Sequence, residues 1–303
     1  MARNFNELLA AKAAQGKFVC GGLDSELSKI PESLRVLSDN NKEDVIFVFN
    51  RRIVEATHDV VNAYKPNLAF YLAHGSAGMR ALERSIKDIH RIAPDVPVIL
   101  DCKDADIGNT NAGYVKMVFE QCQADAMTTN PYLGGKAVEP FLNCKDKGII
   151  VICRTSNEGA GEFQDRQTNI SLAEAHDFQK VGVEPEWNGM LGSVALYKLV
   201  AYQVSKDWNA NGNCSLVVGA TCPEELAEVR KIVGDMPILI PGIGAQGGDI
   251  EATVSAGKNS RNQGMIINLS RSAIFASKGP DFAEAARTEI VRVQNLVTQY
   301  LNQ

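Results

Sequence analysis

The 303 residues include seven cysteines but no C-x-x-C pair, only four histidines, and no excess of basic charge. No apolar run approaches the ~18 residues that a membrane-spanning helix needs. Each absence closes a class. The cysteines, scattered at 20, 102, 122, 144, 153, 214 and 222, exclude a zinc ribbon and a thioredoxin-type motif and fit a reduced, cytoplasmic setting. The histidines at 58, 74, 90 and 176 show no metal-ligand spacing, so no metal is expected. With 31 basic against 36 acidic residues the net charge is −5, which argues against nucleic acid or an anionic membrane as partner. Any anion must be bound locally. Residues 1–17 lack a long apolar core and read as a short amphipathic helix, not a signal peptide.

What is present is a globular composition, 45% hydrophobic and 22% charged, carrying a repeated alternation. Short β-type runs occur at Phe18–Leu23, Ala63–Lys65, Pro97–Leu100, Ala126–Thr129, Gly148–Cys153, Ser215–Gly219, Pro237–Ile240 and Met265–Leu269. Several are continuously apolar, as in strands buried on both faces of a parallel sheet. Between them lie stretches of 3.6-residue periodicity at 41–62, 76–92, 109–123, 171–181, 189–207, 223–233 and 280–302. The pattern predicts an α/β fold, a (β/α)8 TIM barrel with extra helices and a long loop after strand 5. It is expected to form one domain over residues 1–303; an open doubly wound sheet is the competitor. The extra length falls in 25–62, in the Gly-rich polar stretch 155–170, and in an irregular piece at 182–190. Thr221, before Pro223, is expected to cap the helix 223–233.

In such a barrel the chemistry lies at the C-terminal ends of the strands. Those ends carry Asp24, Lys65, Asp101 with Lys103, Thr128 with Asn130, Arg154 with Ser156, and Ser270 with Arg271. The densest stretch is Asp101-Cys102-Lys103-Asp104-Ala105-Asp106-Ile107-Gly108-Asn109-Thr110. On a strand, alternation puts Asp101 and Lys103 on one face, partly buried and in need of partners, with Asp106 just beyond where the strand turns into the loop. A second stretch, Pro241-Gly242-Ile243-Gly244-Ala245-Gln246-Gly247-Gly248-Asp249, follows an apolar strand and leads into a helix. Its backbone N–H groups suit a phosphate, and Arg271 after the next strand adds a bidentate donor. With no P-loop and no histidine placed for catalysis, the acid–base groups on offer are Asp and Lys.

Together these residues resemble orotidine 5′-phosphate decarboxylase, in particular the longer subgroup of that family. The first-strand Gly22-Leu23-Asp24, the second-strand Tyr64-Lys65-Pro66-Asn67 and the D-x-K-x-x-D-I-x-x-T stretch carry the resemblance. So do Thr129-Asn130-Pro131-Tyr132-Leu133-Gly134, Arg154-Thr155-Ser156-Asn157, the glycine-rich turn and Ser270-Arg271. Asp104, Lys136 and Glu158 depart from the family pattern.

The resemblance implies a carboxy-lyase that converts orotidine 5′-monophosphate to uridine 5′-monophosphate and CO2 in pyrimidine synthesis, without cofactor. It implies catalytic Lys103, Asp101, Asp106 and Lys65, and substrate contacts from Asp24, Lys65, Ile107, Thr110, Asn130, Ser156, Gly244, Gln246, Gly247 and Arg271. It also implies a homodimer in which Asp106, Ile107 and Thr110 complete the partner's site. Two alternatives remain at this point: a Mg-dependent sugar-phosphate decarboxylase or synthase on the same barrel, and an inactive phosphate-ligand-binding barrel.

Overall fold

A computed structural model of the chain describes residues 3–243 and 248–303. Among the described residues eight parallel strands form the main sheet: β1 (Val19–Gly22), β2 (Ala63–Lys65), β3 (Ile99–Leu100), β4 (Ala126–Thr129), β5 (Gly148–Arg154), β6 (Cys214–Val218), β7 (Ile238–Pro241) and β8 (Met265–Leu269). Their spatial order is β2-β1-β8-β7-β6-β5-β4-β3, each strand beside its chain neighbour and β1 beside β8. The two ends of that order meet. Tyr64 bridges to Val98 and Asn67 to Asp101, with Tyr64 N–H donating to Pro97 O at 3.0 Å and Asp101 N–H to Pro66 O at 2.9 Å. The sheet therefore closes into a barrel, and the open doubly wound alternative is excluded.

One buried residue from every strand fills the barrel: Cys20, Ala63, Ile99, Ala126, Ile150, Val217, Leu239 and Ile266. Phe5 and Leu9, on the N-terminal helix Phe5–Ala14, pack into the same cluster and close its lower end. Gly148 permits this, because a Cβ there would lie 2.3 Å from the Phe5 ring. The first turn is tied down at the same end. Fully buried Asp125 accepts from Arg3 Nε at 2.8 Å and from Val98 N–H at 2.8 Å, with His90 at 3.3 Å. A larger apolar layer lies between the outer faces of the strands and the surrounding helices.

Helix starts follow local chemistry. Asn41 caps Lys42–Thr57 and Ser171 forms a capping box with Glu174 on Leu172–Lys180. The helix Pro223–Val233 has Pro at its first position, Glu224 and Glu225 in its first turn, and Arg230 and Lys231 in its last. Thr221 is not its cap: the cap position is Cys222, and no side chain bonds there. The connection after β5 carries structure of its own. Gln167–Ile170, Glu186–Asn188 and Leu191–Ala195 form a three-stranded antiparallel sheet, and the expected helix at 189–207 begins only at Leu196. Ile170, Val194 and Phe178 give this excursion a small core apart from the barrel.

Candidate active site

The strand ends surround a cavity of about 270 Å³ at the upper mouth of the barrel. Asp24, Lys65, Asp101, Lys103, Ser156 and Arg271 all line it, although they come from five different strand ends. Asp101 is its electrostatic centre. Lys65 Nζ donates to Asp101 Oδ2 at 2.6 Å, and Lys103 Nζ to Oδ1 at 2.5 Å. Thr128 Oγ1 donates to the same Oδ1 at 2.9 Å. Lys65 is 3% exposed and Asp101 8%.

Burial alone would neutralise both groups. For Asp101 it is outweighed by the charges of Lys65 and Lys103, which hold the carboxyl well below the usual carboxylate range. For Lys65, burial is likewise opposed by Asp101 and Asp24, which hold the ammonium charged well above neutral pH. Cys102, next in the chain, is different: burial pushes its thiol up to about 12, so it is no thiolate nucleophile at neutral pH.

Lys103 reaches Asp101 by an unexpected route. β3 ends at Leu100, and Lys103 has φ +58°, the left-handed region that side chains with a Cβ seldom occupy. Its N–H donates to Thr128 Oγ1 at 3.0 Å, and its carbonyl accepts from Asn130 Nδ2 at 3.2 Å. Two residues at the end of β4 thus hold the backbone bend that aims the lysine. Asn130, expected among the substrate contacts, does not line this cavity, and its side chain braces Lys103.

Ser270 and Arg271 are brought to the cavity by glycine. A Cβ on Gly22 would lie 2.6 Å from Ser270 Cβ, so only glycine at the end of β1 allows Ser270 and Arg271 their place. On the opposite wall Arg154 Nη1 donates to Thr155 O at 2.7 Å while its Nε pairs with Asp165 at 2.9 Å. Gln164 Oε1 accepts from Thr155 N–H at 2.8 Å. These contacts fix the turn that carries Ser156. Gly244, Gln246 and Gly247, expected at the phosphate, lie outside the described residues.

Asp106, Ile107 and Thr110 do not line this cavity. Asp106 Oδ1 accepts from Ile107 N–H at 2.6 Å, and the Ile107 side chain is 58% exposed. Asp104, Lys136 and Glu158, where the sequence departs from the family pattern, also lie off the wall. Sequence reasoning missed Asn268 and Ser272, which do line it. Asn268 Oδ1 and Ser272 Oγ, like Asp24 Oδ1 and Ser270 Oγ, are buried without a hydrogen-bond partner among the described residues. An asparagine breaking the apolar run Met265-Ile266-Ile267-Asn268-Leu269 was the available signal.

Comparison with known proteins points the same way. The family model "Orotidine 5′-phosphate decarboxylase / HUMPS family" matches residues 41–288. The orotidine 5′-phosphate decarboxylase of Azoarcus sp. is 43% identical over 293 residues, covering 97% of each chain. Among solved structures, Leishmania donovani OMP decarboxylase superposes with a TM-score of 0.77 at 30% identity, covering 98% of this chain and 99% of that one. Leishmania donovani UMP synthase matches with a TM-score of 0.78 at 32% identity; 98% of this chain corresponds to 57% of that longer one. By sequence match over most of its length and by its barrel, the chain belongs to the orotidine 5′-phosphate decarboxylase / HUMPS family.

Proposed function

We propose that the chain decarboxylates orotidine 5′-monophosphate to uridine 5′-monophosphate and CO2. The observation that carries this reading is the Lys65–Asp101–Lys103 array, set in the same cavity as Arg271. Breaking the bond from C6 to the carboxylate leaves an electron pair on a ring carbon with no adjacent carbonyl to delocalise it. A fixed positive charge beside that carbon stabilises the pair as it forms. Lys103 Nζ is the group with both the charge and the proton, and its side chain is 47% exposed toward the mouth. Its N–H bond then breaks, the proton goes to C6 where the electron pair forms the C–H bond, and the neutral amine regains a proton from water. Asp101 keeps the two ammonium groups in register, and Lys65 with Asp24 holds the ribose hydroxyls. Asp24 Oδ1, buried and without a hydrogen-bond partner among the described residues, suits that task. Ser156 contacts the pyrimidine, while Arg271 with Gly244, Gln246 and Gly247 takes the phosphate. Binding energy at the phosphate offsets the cost of ordering loops around the ring.

In the same reading the chain works as a homodimer, with Asp106, Ile107 and Thr110 completing the partner's site. The exposure of Ile107 and the position of Asp106 off its own cavity wall support it. Among the described residues no helix is long and apolar enough to cross a membrane.

The test is direct. Orotidine 5′-monophosphate is mixed with the protein in EDTA, and the ultraviolet absorbance of the orotate ring is followed. Stoichiometric conversion to uridine 5′-monophosphate is expected. Unchanged absorbance at high protein concentration overturns the assignment, and activity only on adding magnesium favours the sugar-phosphate relatives.

A further inference from the structure

A second cavity, of about 520 Å³, shares no lining residue with the first. It lies among the segment after β1, the helix Glu32–Leu37, the start of Lys42–Thr57 and the residues before Gly75. Arg35, Lys42 and His74 line it, over an apolar surface of Leu27, Val45 and Phe70.

The neighbouring acids are already engaged. Glu26 pairs with Lys29 at 2.7 Å; Glu43 takes Arg80 at 2.6 Å and Arg84 at 2.8 Å; Asp44 takes Arg84 at 2.8 Å. Among the described residues Arg35, Lys42 and His74 have no ion pair, and Arg35 Nε is buried without a hydrogen-bond partner. Burial and the charge of Lys42 both depress protonation of His74, so the lysine and the imidazole act on each other. A cavity that gathers a guanidinium, an ammonium and an imidazole and leaves them without an ion pair among the described residues is suited to an anion.

We propose that this cavity is a binding site for a phosphate monoester with a flat apolar body. A phosphate offers three oxygens and up to two charges to the guanidinium, ammonium and imidazolium groups, where a carboxylate offers two oxygens and one charge. The apolar body lies against Leu27, Val45 and Phe70. This site is separate from the catalytic one and does not depend on the activity proposed above.

Phenyl phosphate is the probe. With only four histidines in the chain, the ring C–H signals of His74 can be assigned by NMR using His74→Gln. The titration is read at His74, whose cavity shares no lining residue with the catalytic one, so phenyl phosphate in the catalytic cavity does not enter the readout. A saturable downfield shift of the His74 signals is expected, as the anion draws a proton onto the ring. Arg35→Gln and Lys42→Gln should each weaken it roughly 10-fold, the loss of one charge-assisted bond, without changing the affinity for uridine 5′-monophosphate or the far-ultraviolet circular dichroism. Benzoate should bind roughly 10-fold more weakly than phenyl phosphate, for the same reason. A His74 signal that does not move, equal titration of Arg35→Gln, or benzoate binding as tightly as phenyl phosphate overturns the proposal.

Discussion

The Lys103 N–H donates to the Thr128 hydroxyl oxygen at 3.0 Å, across 25 residues of chain. That hydroxyl in turn donates to Asp101, so one buried oxygen ties the backbone of the lysine to the carboxylate its side chain clasps. Thr128→Val keeps the volume and removes both bonds. The cost of a buried N–H left unpaired is about 1–3 kcal/mol. Because the bond holds a left-handed backbone, much of that should appear as misplacement of the ammonium. We expect kcat to fall roughly 10- to 100-fold, about what those energies give, with a much smaller change in KM. A KM effect without a kcat effect would show that Thr128 serves binding alone.

Lys103 should be indispensable to turnover yet dispensable to product binding. Removing a preorganised charge from a transition state typically costs about 10²–10³ in kcat, and loss of the proton donor adds to it. For Lys103→Ala we expect no measurable decarboxylation, while calorimetry still detects uridine 5′-monophosphate. Turnover near the wild-type rate would remove Lys103 from the mechanism.

Arg271 acts at a distance from the ring. Loss of a charge-assisted contact to phosphate, at about 1.5–3 kcal/mol, corresponds to a fall in kcat/KM of roughly 10- to 150-fold. Added guanidinium should restore part of the activity of Arg271→Ala on the nucleotide, because it returns the missing cation to the phosphate. Unaltered kcat/KM in this variant would place the phosphate elsewhere.

At the other end of the barrel, Asp125 links acidity to stability. Burial opposes its ionisation, but hydrogen bonds from His90 and Arg3 outweigh it and bring the carboxyl down to about 2. A folded value below the unfolded one contributes stability that is fully present above the ordinary carboxylate range and is lost as pH falls through about 2. The shift corresponds to about 2 kcal/mol. Asp125→Asn should therefore unfold at lower urea than the wild type at pH 7, and the gap should narrow steadily below about pH 4, the unfolded carboxylate value. A gap that stays constant into acid would mean that Asp125 contributes through packing rather than charge.

The barrel was legible because each strand is buried on both faces, which leaves an uninterrupted apolar run between polar helical stretches. All eight runs correspond to strands, within a residue or two. The pairing of Lys103 with Asp101 was also expected, but for the wrong reason. Alternation along a strand was invoked; the strand stops at Leu100, and a turn held by Thr128 and Asn130 makes the pair. Such cross-strand bracing leaves no local trace. The small sheet at 167–195 was hidden for another reason: Gln167, Thr168 and Asn169 are not fully buried, and only Ile170 of that strand reaches the minor core. Segments that contribute little to the main core carry little of its periodicity.

Asp101 belongs to the seam as well as to the site. Its N–H and its carbonyl make two of the backbone bonds at the seam between β2 and β3, to Pro66 O at 2.9 Å and from Leu68 N–H at 3.1 Å, beside that of Tyr64 N–H to Pro97 O. The join that closes the sheet and the carboxylate at the centre of the site therefore meet in one residue. A chain drifting through sequence space cannot let β2 slide against β3 without also moving the carboxylate between its two lysines. Selection on turnover is then, at this position, selection on the closure of the barrel itself.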